Sequence, residues 1–246
     1  MRVAVGLGFF ALLVAGCAAP SRAGRALRDA ALDPHTWLPA AGALVLGLSD
    51  LDDRVGDYAR RETPLFGSSE DAGTASDLLL ATGGALAATT AALSARDRAR
   101  AGRGGREELR LGSEAAAVAL AGGSALLGKE ATGRARPDGS DDESLPSAHA
   151  TLAASFGALA RRNAEWTGTS ERARAGVAVG ADALTLLVGW ARVENGAHHP
   201  SDALAGMALG SLVTLFVHDA VVRRPRDLEL RAGGPGAFGV TVSTDL

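Results

Sequence analysis

Three short clusters in the second half of this chain hold the residue types needed to handle a phosphoryl group. They are Lys129-x6-Arg136-Pro137, Pro146-Ser147-Ala148-His149 and Arg192-x5-His198-x3-Asp202. Lys129, Arg136 and Arg192 supply three cations. An Arg guanidinium is a planar fork that matches two phosphate oxygens, and a Lys ammonium is a point charge able to follow a moving oxygen. The chain has 25 basic residues, and Lys129 is the single lysine among them. A lone lysine against that arginine background asks for a local reason, and a dianionic ligand gives one. Two histidines divide the remaining work. One imidazole attacks phosphorus, and the other hands a proton to the departing oxygen. Asp202, four residues beyond His198, is spaced to hold one ring nitrogen and leave the other free to attack.

Each cluster needs a helix end to place it. Glu108 to Gly128 reads as a helix that delivers Lys129 at its close. The stretch 133–145, GRARPDGSDDESL, is a loop by its Pro137, Gly139 and acidic run, and it carries Arg136. Ala148 to Arg162 reads as a helix, and Pro146-Ser147 brings His149 onto its first turn, where backbone N–H groups point outward and bind anions. Ala175 to Val193 reads as a helix with Arg192 at its end. Pro200 or Ser201 opens a last helix running to about Val222. Earlier in the chain, residues 18–34 read as a tether and Trp37 to Leu48 as an apolar segment. Residues 49–73 are polar and broken by Pro64, Gly67 and Gly73. Ser76 or Asp77 caps a helix to about Ala95. After Pro225, alternation at Leu228–Arg231 and the strand-like Phe238–Val242 predict a short hairpin or ordered tail. The sum is an all-α bundle of about six helices. Its apolar runs, about 11 to 17 residues with Glu114 and Asp182 inside, fall short of the roughly 20 that a spanning helix wants. They favour a lipid-anchored globular bundle over an integral one.

The order and internal spacing of the clusters resemble the three motifs of the type 2 phosphatidic acid phosphatase superfamily: K-x6-RP, PSGH and SR-x5-H-x3-D. The resemblance implies the helical bundle of the phosphatidic acid phosphatase and haloperoxidase type. It implies a metal-independent phosphatase, with no cofactor, that cleaves a phosphate ester or diphosphate. By the motif, His198 is the nucleophile that forms a phosphohistidine, Asp202 orients it, and His149 is the general acid. Lys129, Arg136, Ser147, Ala148 and Arg192 bind phosphate. Two positions depart from the pattern: Ala148 stands where the family has Gly, and Ala191 where it has Ser. Neither change removes a charged or nucleophilic group. The other readings are a decayed phosphate-binding lipoprotein and a vanadate-dependent haloperoxidase, which the short chain and 4% aromatic content disfavour.

The N-terminus reads as an export signal. Arg2 precedes the apolar run Val3–Val14, and Leu13-Val14-Ala15-Gly16-Cys17 resembles a bacterial lipobox that would carry lipid on Cys17. The expected layout is a signal peptide at 1–17, the helical domain at 18–225 and a tail at 226–246. The expected place is the bacterial cell envelope, facing the periplasm or outer face. The expected substrate is a phosphorylated lipid, with a lipid anchor as the membrane contact. A net charge of -3 excludes the basic stripe of a nucleic-acid binder. Oligomeric state has no signal in the sequence.

Overall fold

The computed structural model describes residues 21–222, 229–231 and 241–243. Eight helices run through them: α1 Arg22–Leu32, α2 Pro34–Gly47, α3 Leu51–Glu62, α4 Ser69–Arg100, α5 Glu107–Thr132, α6 Ala148–Glu165, α7 Glu171–Glu194 and α8 Pro200–Val221. The fold is all-α, as expected. The backbone of Glu229–Arg231 pairs antiparallel with Thr241–Ser243. Residues 1–17, with Cys17, lie outside the described residues.

The chain passes up and down the bundle six times. The first passage is broken, because Asp33 ends α1 and also caps α2, its carboxylate accepting from His35 N at 2.9 Å. Within the stretch 18–34 read as a tether, Arg22–Leu32 is helical, and Ser21 caps it through Gly24 N. The second extra helix, α3, forms inside the stretch 49–73. Its buried residues are Asp52, Gly56 and Ala59, which share a helical face but are polar or small, so a hydrophobic pattern does not mark them. Ser76 and Asp77 do not cap α4. Ser68 does, accepting from Asp71 N at 3.0 Å, and α4 extends two turns further toward the N-terminus than expected.

Lys129, His149, Arg192 and His198 all come to one end of the bundle. At the other end, Arg22 donates to the carbonyl of Val221, Gly168 N donates to Asp97, and Arg98 pairs with Glu107. The N-terminus of α1 therefore lies at the end remote from the catalytic clusters. α8 alone, at 22 residues, measures about 33 Å.

Packing rests on small residues. Among the described residues the buried apolar core is alanine, apart from Leu159, Val188, Val193, Met207 and Leu215. The larger apolar side chains face outward, including Trp37, Leu38, Val45, Leu78, Leu120, Leu126, Leu127, Val179 and Leu186. α4 has no charged residue between Leu78 and Ala95. In α5, Arg110 and Glu114 are the only charges between Leu109 and Gly128, and both are buried, paired with each other and with Asn163. Four helices, α4, α5, α7 and α8, at 32, 26, 24 and 22 residues, are long and apolar enough to cross a membrane. The runs read as 11 to 17 residues are thus segments of longer helices. Small residues within and Leu without is the arrangement of helices packed in lipid, where close backbone approach replaces a hydrophobic core.

α6 and α8 show that approach most closely. A Cβ at Gly206 would collide with the carbonyl oxygen of Ser147, and one at Gly210 with that of Thr151. The helix that begins beside His149 and the helix that begins beside His198 thus touch backbone to backbone.

Candidate active site

His198 precedes α8 and is 2% exposed. Its backbone N–H donates to Arg192 O, and its Nδ1 lies 2.7 Å from the carbonyl of Ser144. A carbonyl only accepts, so Nδ1 carries the proton and Nε2 keeps its lone pair. Burial pushes the imidazole pKa down to about 2, Arg192 and Lys129 push the same way, and the Ser144 carbonyl opposes them. Burial and the two cations thus favour the neutral ring, the state a nitrogen nucleophile needs.

Asp202 does not pair with His198. Its carboxylate accepts from Ser144 Oγ at 2.6 Å, from Arg134 Nη1 at 2.6 Å and from the backbone N–H of His199 at 2.9 Å. The spacing H-x3-D serves here as a helix capping pair between Asp202 and residue 199. Asp202 reaches His198 indirectly, through Ser144. The network extends to α3: Arg134 also donates to Asp52 Oδ2 at 2.8 Å, and Asp52 accepts from Ser201 N and Oγ. Burial raises the Asp52 carboxyl, but the bonds from Ser201 and Arg134 outweigh it and hold its pKa below the ordinary value.

Lys129 lies in the last turn of α5, buried, and donates to the carbonyl of Glu143. Arg136 sits on the loop as expected, with Nε 2.6 Å from Asp141. Arg192 lies in the last turn of α7. Its Nη1 is 3.5 Å from Ser76 Oγ, while its Nε is buried without a hydrogen-bond partner among the described residues. A buried, unsatisfied guanidinium nitrogen is costly unless an anion meets it. Lys129, Arg136 and Arg192 all bear electrostatically on His198.

His149 stands on the first turn of α6, half-buried, with Arg192 and Lys129 again among its neighbours. Burial first, and then Arg192, hold its pKa below the ordinary value, against a hydrogen bond to Asp77 at 2.9 Å. Ser147 caps α6, its Oγ accepting from Ala150 N at 3.4 Å, and its N–H donates to Asp202 O. Ala148 occupies the first helical position, and Ala191 is fully buried. The sequence motifs do not include Asp52, Asp77, Arg134 or Ser144. Each acts through a partner 54 or more residues away.

The fold and this cluster define a helical bundle with two histidines and three cations gathered at one end, the equipment of a phosphoryl-transfer site. The chain matches the PAP2 superfamily over residues 110–226. It is 33% identical over 116 residues to the lipid A 1-phosphatase of Porphyromonas gingivalis (strain ATCC 33277), a match covering 46% of this chain and 25% of that protein. The match thus spans about a quarter of the relative's length. No solved structure matches the chain.

Proposed function

We propose that this protein is a membrane phosphatase that hydrolyses a phosphorylated lipid through a phosphohistidine. The observation that carries the reading is the buried His198, its Nδ1 held by the Ser144 carbonyl, set among Lys129, Arg136 and Arg192. Nε2 of His198 attacks phosphorus, and the bond to the leaving oxygen breaks as His149 gives that oxygen a proton. The three cations neutralise the equatorial oxygens. In the second step His149 takes a proton from water as the water oxygen replaces the histidine nitrogen on phosphorus.

A lipid substrate is supported by the exposed apolar residues at the catalytic end, Leu48, Leu65, Leu78, Leu126 and Leu127, which acyl chains can meet. The uncharged outer faces of α4 and α5 support a bundle that crosses the membrane. Its direction follows from arginine placement. Arg96, Arg98, Arg100, Arg103 and Arg106 crowd the α4–α5 connection at the remote end, and the catalytic loop 133–147 carries Arg134 and Arg136 among four acids. The remote end faces the cytoplasm, and the site faces outward.

The test is phosphate release by the purified chain, in detergent and with chelator present, from lipid and soluble phosphates. Release by the native chain and a loss of at least about a thousandfold in His198→Ala are expected. Equal release by both would sink the histidine mechanism. No release by the native chain from any substrate would favour a phosphate-binding protein without turnover.

A further inference from the structure

The contact between α4 and His149 assigns a role that lies outside the three motifs and before residue 110, where the family match begins. We infer that Asp77 is a positioning residue of the site: its carboxylate holds Nε2 of His149 and so presents Nδ1, with its proton, to the leaving oxygen. The inference rests on the phosphatase reading above.

The geometry is specific. Asp77 Oδ1 lies 2.9 Å from His149 Nε2, across 72 residues of sequence. The residue beside it, the buried Ser76, donates its hydroxyl to Gly73 O at 2.8 Å and meets Arg192 Nη1 at 3.5 Å. Two adjacent residues of α4 therefore touch one member each of the second and third motifs. The charged groups that bear most on His149 are Asp77 from α4, Arg192 from α7 and Lys129 from α5. Two cations disfavour the imidazolium, and one carboxylate favours it. With Nε2–H donated to Asp77, Nδ1 is the nitrogen left for the substrate. It gives its proton to the leaving oxygen in the first step and regains one from water in the second. The ring keeps its Nε2–H throughout.

The sign of the expected effect is fixed. Removing the Asp77 charge lets the two cations act unopposed, so His149 loses its proton at lower pH and the alkaline limb of the rate profile moves down. Asp77 is 70% exposed, so solvent screening keeps the effect modest. The experiment compares wild type, Asp77→Asn and Asp77→Glu as full chains. It measures pH–rate profiles of phosphate release and the NMR titration midpoint of the His149 ring, identified with His149→Gln. Asp77→Asn is expected to move both the limb and the midpoint down by about half to one pH unit. It should lower kcat about fivefold to tenfold with KM little changed, and Asp77→Glu should restore most of the loss. Release by wild type with an unmoved limb and midpoint in Asp77→Asn would overturn the role of Asp77 alone. Absence of release by wild type would overturn the phosphatase reading, and this role with it.

Discussion

Ser144 stands between two groups that the chemistry needs. Its carbonyl takes the Nδ1–H of His198, and its hydroxyl donates to Asp202, which Arg134 ties in turn to Asp52. Asp202 thus fixes His198 by fixing the loop that holds it. Ser144→Ala breaks the link at a cost of about 1 kcal/mol, a fall in kcat of about fivefold to tenfold with KM little changed. Asp202→Asn is expected to fall further, since it also weakens the hold on Arg134. The double variant should be no slower than Asp202→Asn, because both changes cut one path. Additive losses in steady-state kinetics would show that Asp202 acts on His198 by another route. The ends of this path differ in how far they could be read beforehand. His198, His149 and the three cations are legible because each motif is short and lies at a helix end. Ser144, Arg134, Asp52 and Asp77 are not, because their roles arise only when the loop and α3 and α4 fold against α8 and α6.

At the scale of elements, the site depends on how closely α6 and α8 approach. Gly206 and Gly210 face the carbonyl oxygens of Ser147 and Thr151, with no room for a Cβ. Gly210→Leu must push the helices apart or distort them. It should destabilise the chain by at least about 1–3 kcal/mol, read as a lower midpoint of thermal unfolding in detergent. Activity at permissive temperature should fall as well, since His149 moves with α6. An unchanged midpoint would mean that the two helices do not touch there. The elements themselves were unevenly legible. α5 to α8 announce themselves by apolar runs with Pro, Ser or Gly at their ends. α3 hides because the face it buries is Asp52, Gly56 and Ala59, with Asp52 engaged by Arg134 and Ser201. α4 starts at Ser69 rather than near Ser76 because Ser68 accepts from Asp71 N, while the fold commits Ser76 to Gly73 and Arg192.

For the whole molecule, the N-terminus of α1 and the catalytic cluster lie at opposite ends. Three residues lie between Cys17 and Ser21, the cap of α1 at the remote end, so a lipid carried on Cys17 would be tethered within about 14 Å of that end. A lipid anchor there, on the outer face, and a bundle that crosses the membrane with its site outward are incompatible arrangements. Single cysteines in a Cys17→Ser background separate them: Ser140→Cys at the catalytic end and Arg103→Cys at the remote end. The spanning arrangement predicts that a membrane-impermeant maleimide applied to intact spheroplasts labels position 140 and spares position 103. It also predicts that acyl label is absent from Cys17 of the native chain. Labelling at both positions, with acyl chain on Cys17, would establish the anchored bundle instead.

The bare contact of α6 with α8 also bears on how such a site can change. In the proposed mechanism attacker and proton donor ride on two helices whose separation is set by peptide backbone, so the gap between them acts as a fixed gauge. Side-chain replacement can make that gap fail, but it cannot retune it. New substrates must therefore be won at the walls, on α3, on the 63–68 turn that Glu194 pins through Leu65 N and Phe66 N, and along the outward leucines. Diversity at the rim around an invariant gauge is the pattern this architecture permits.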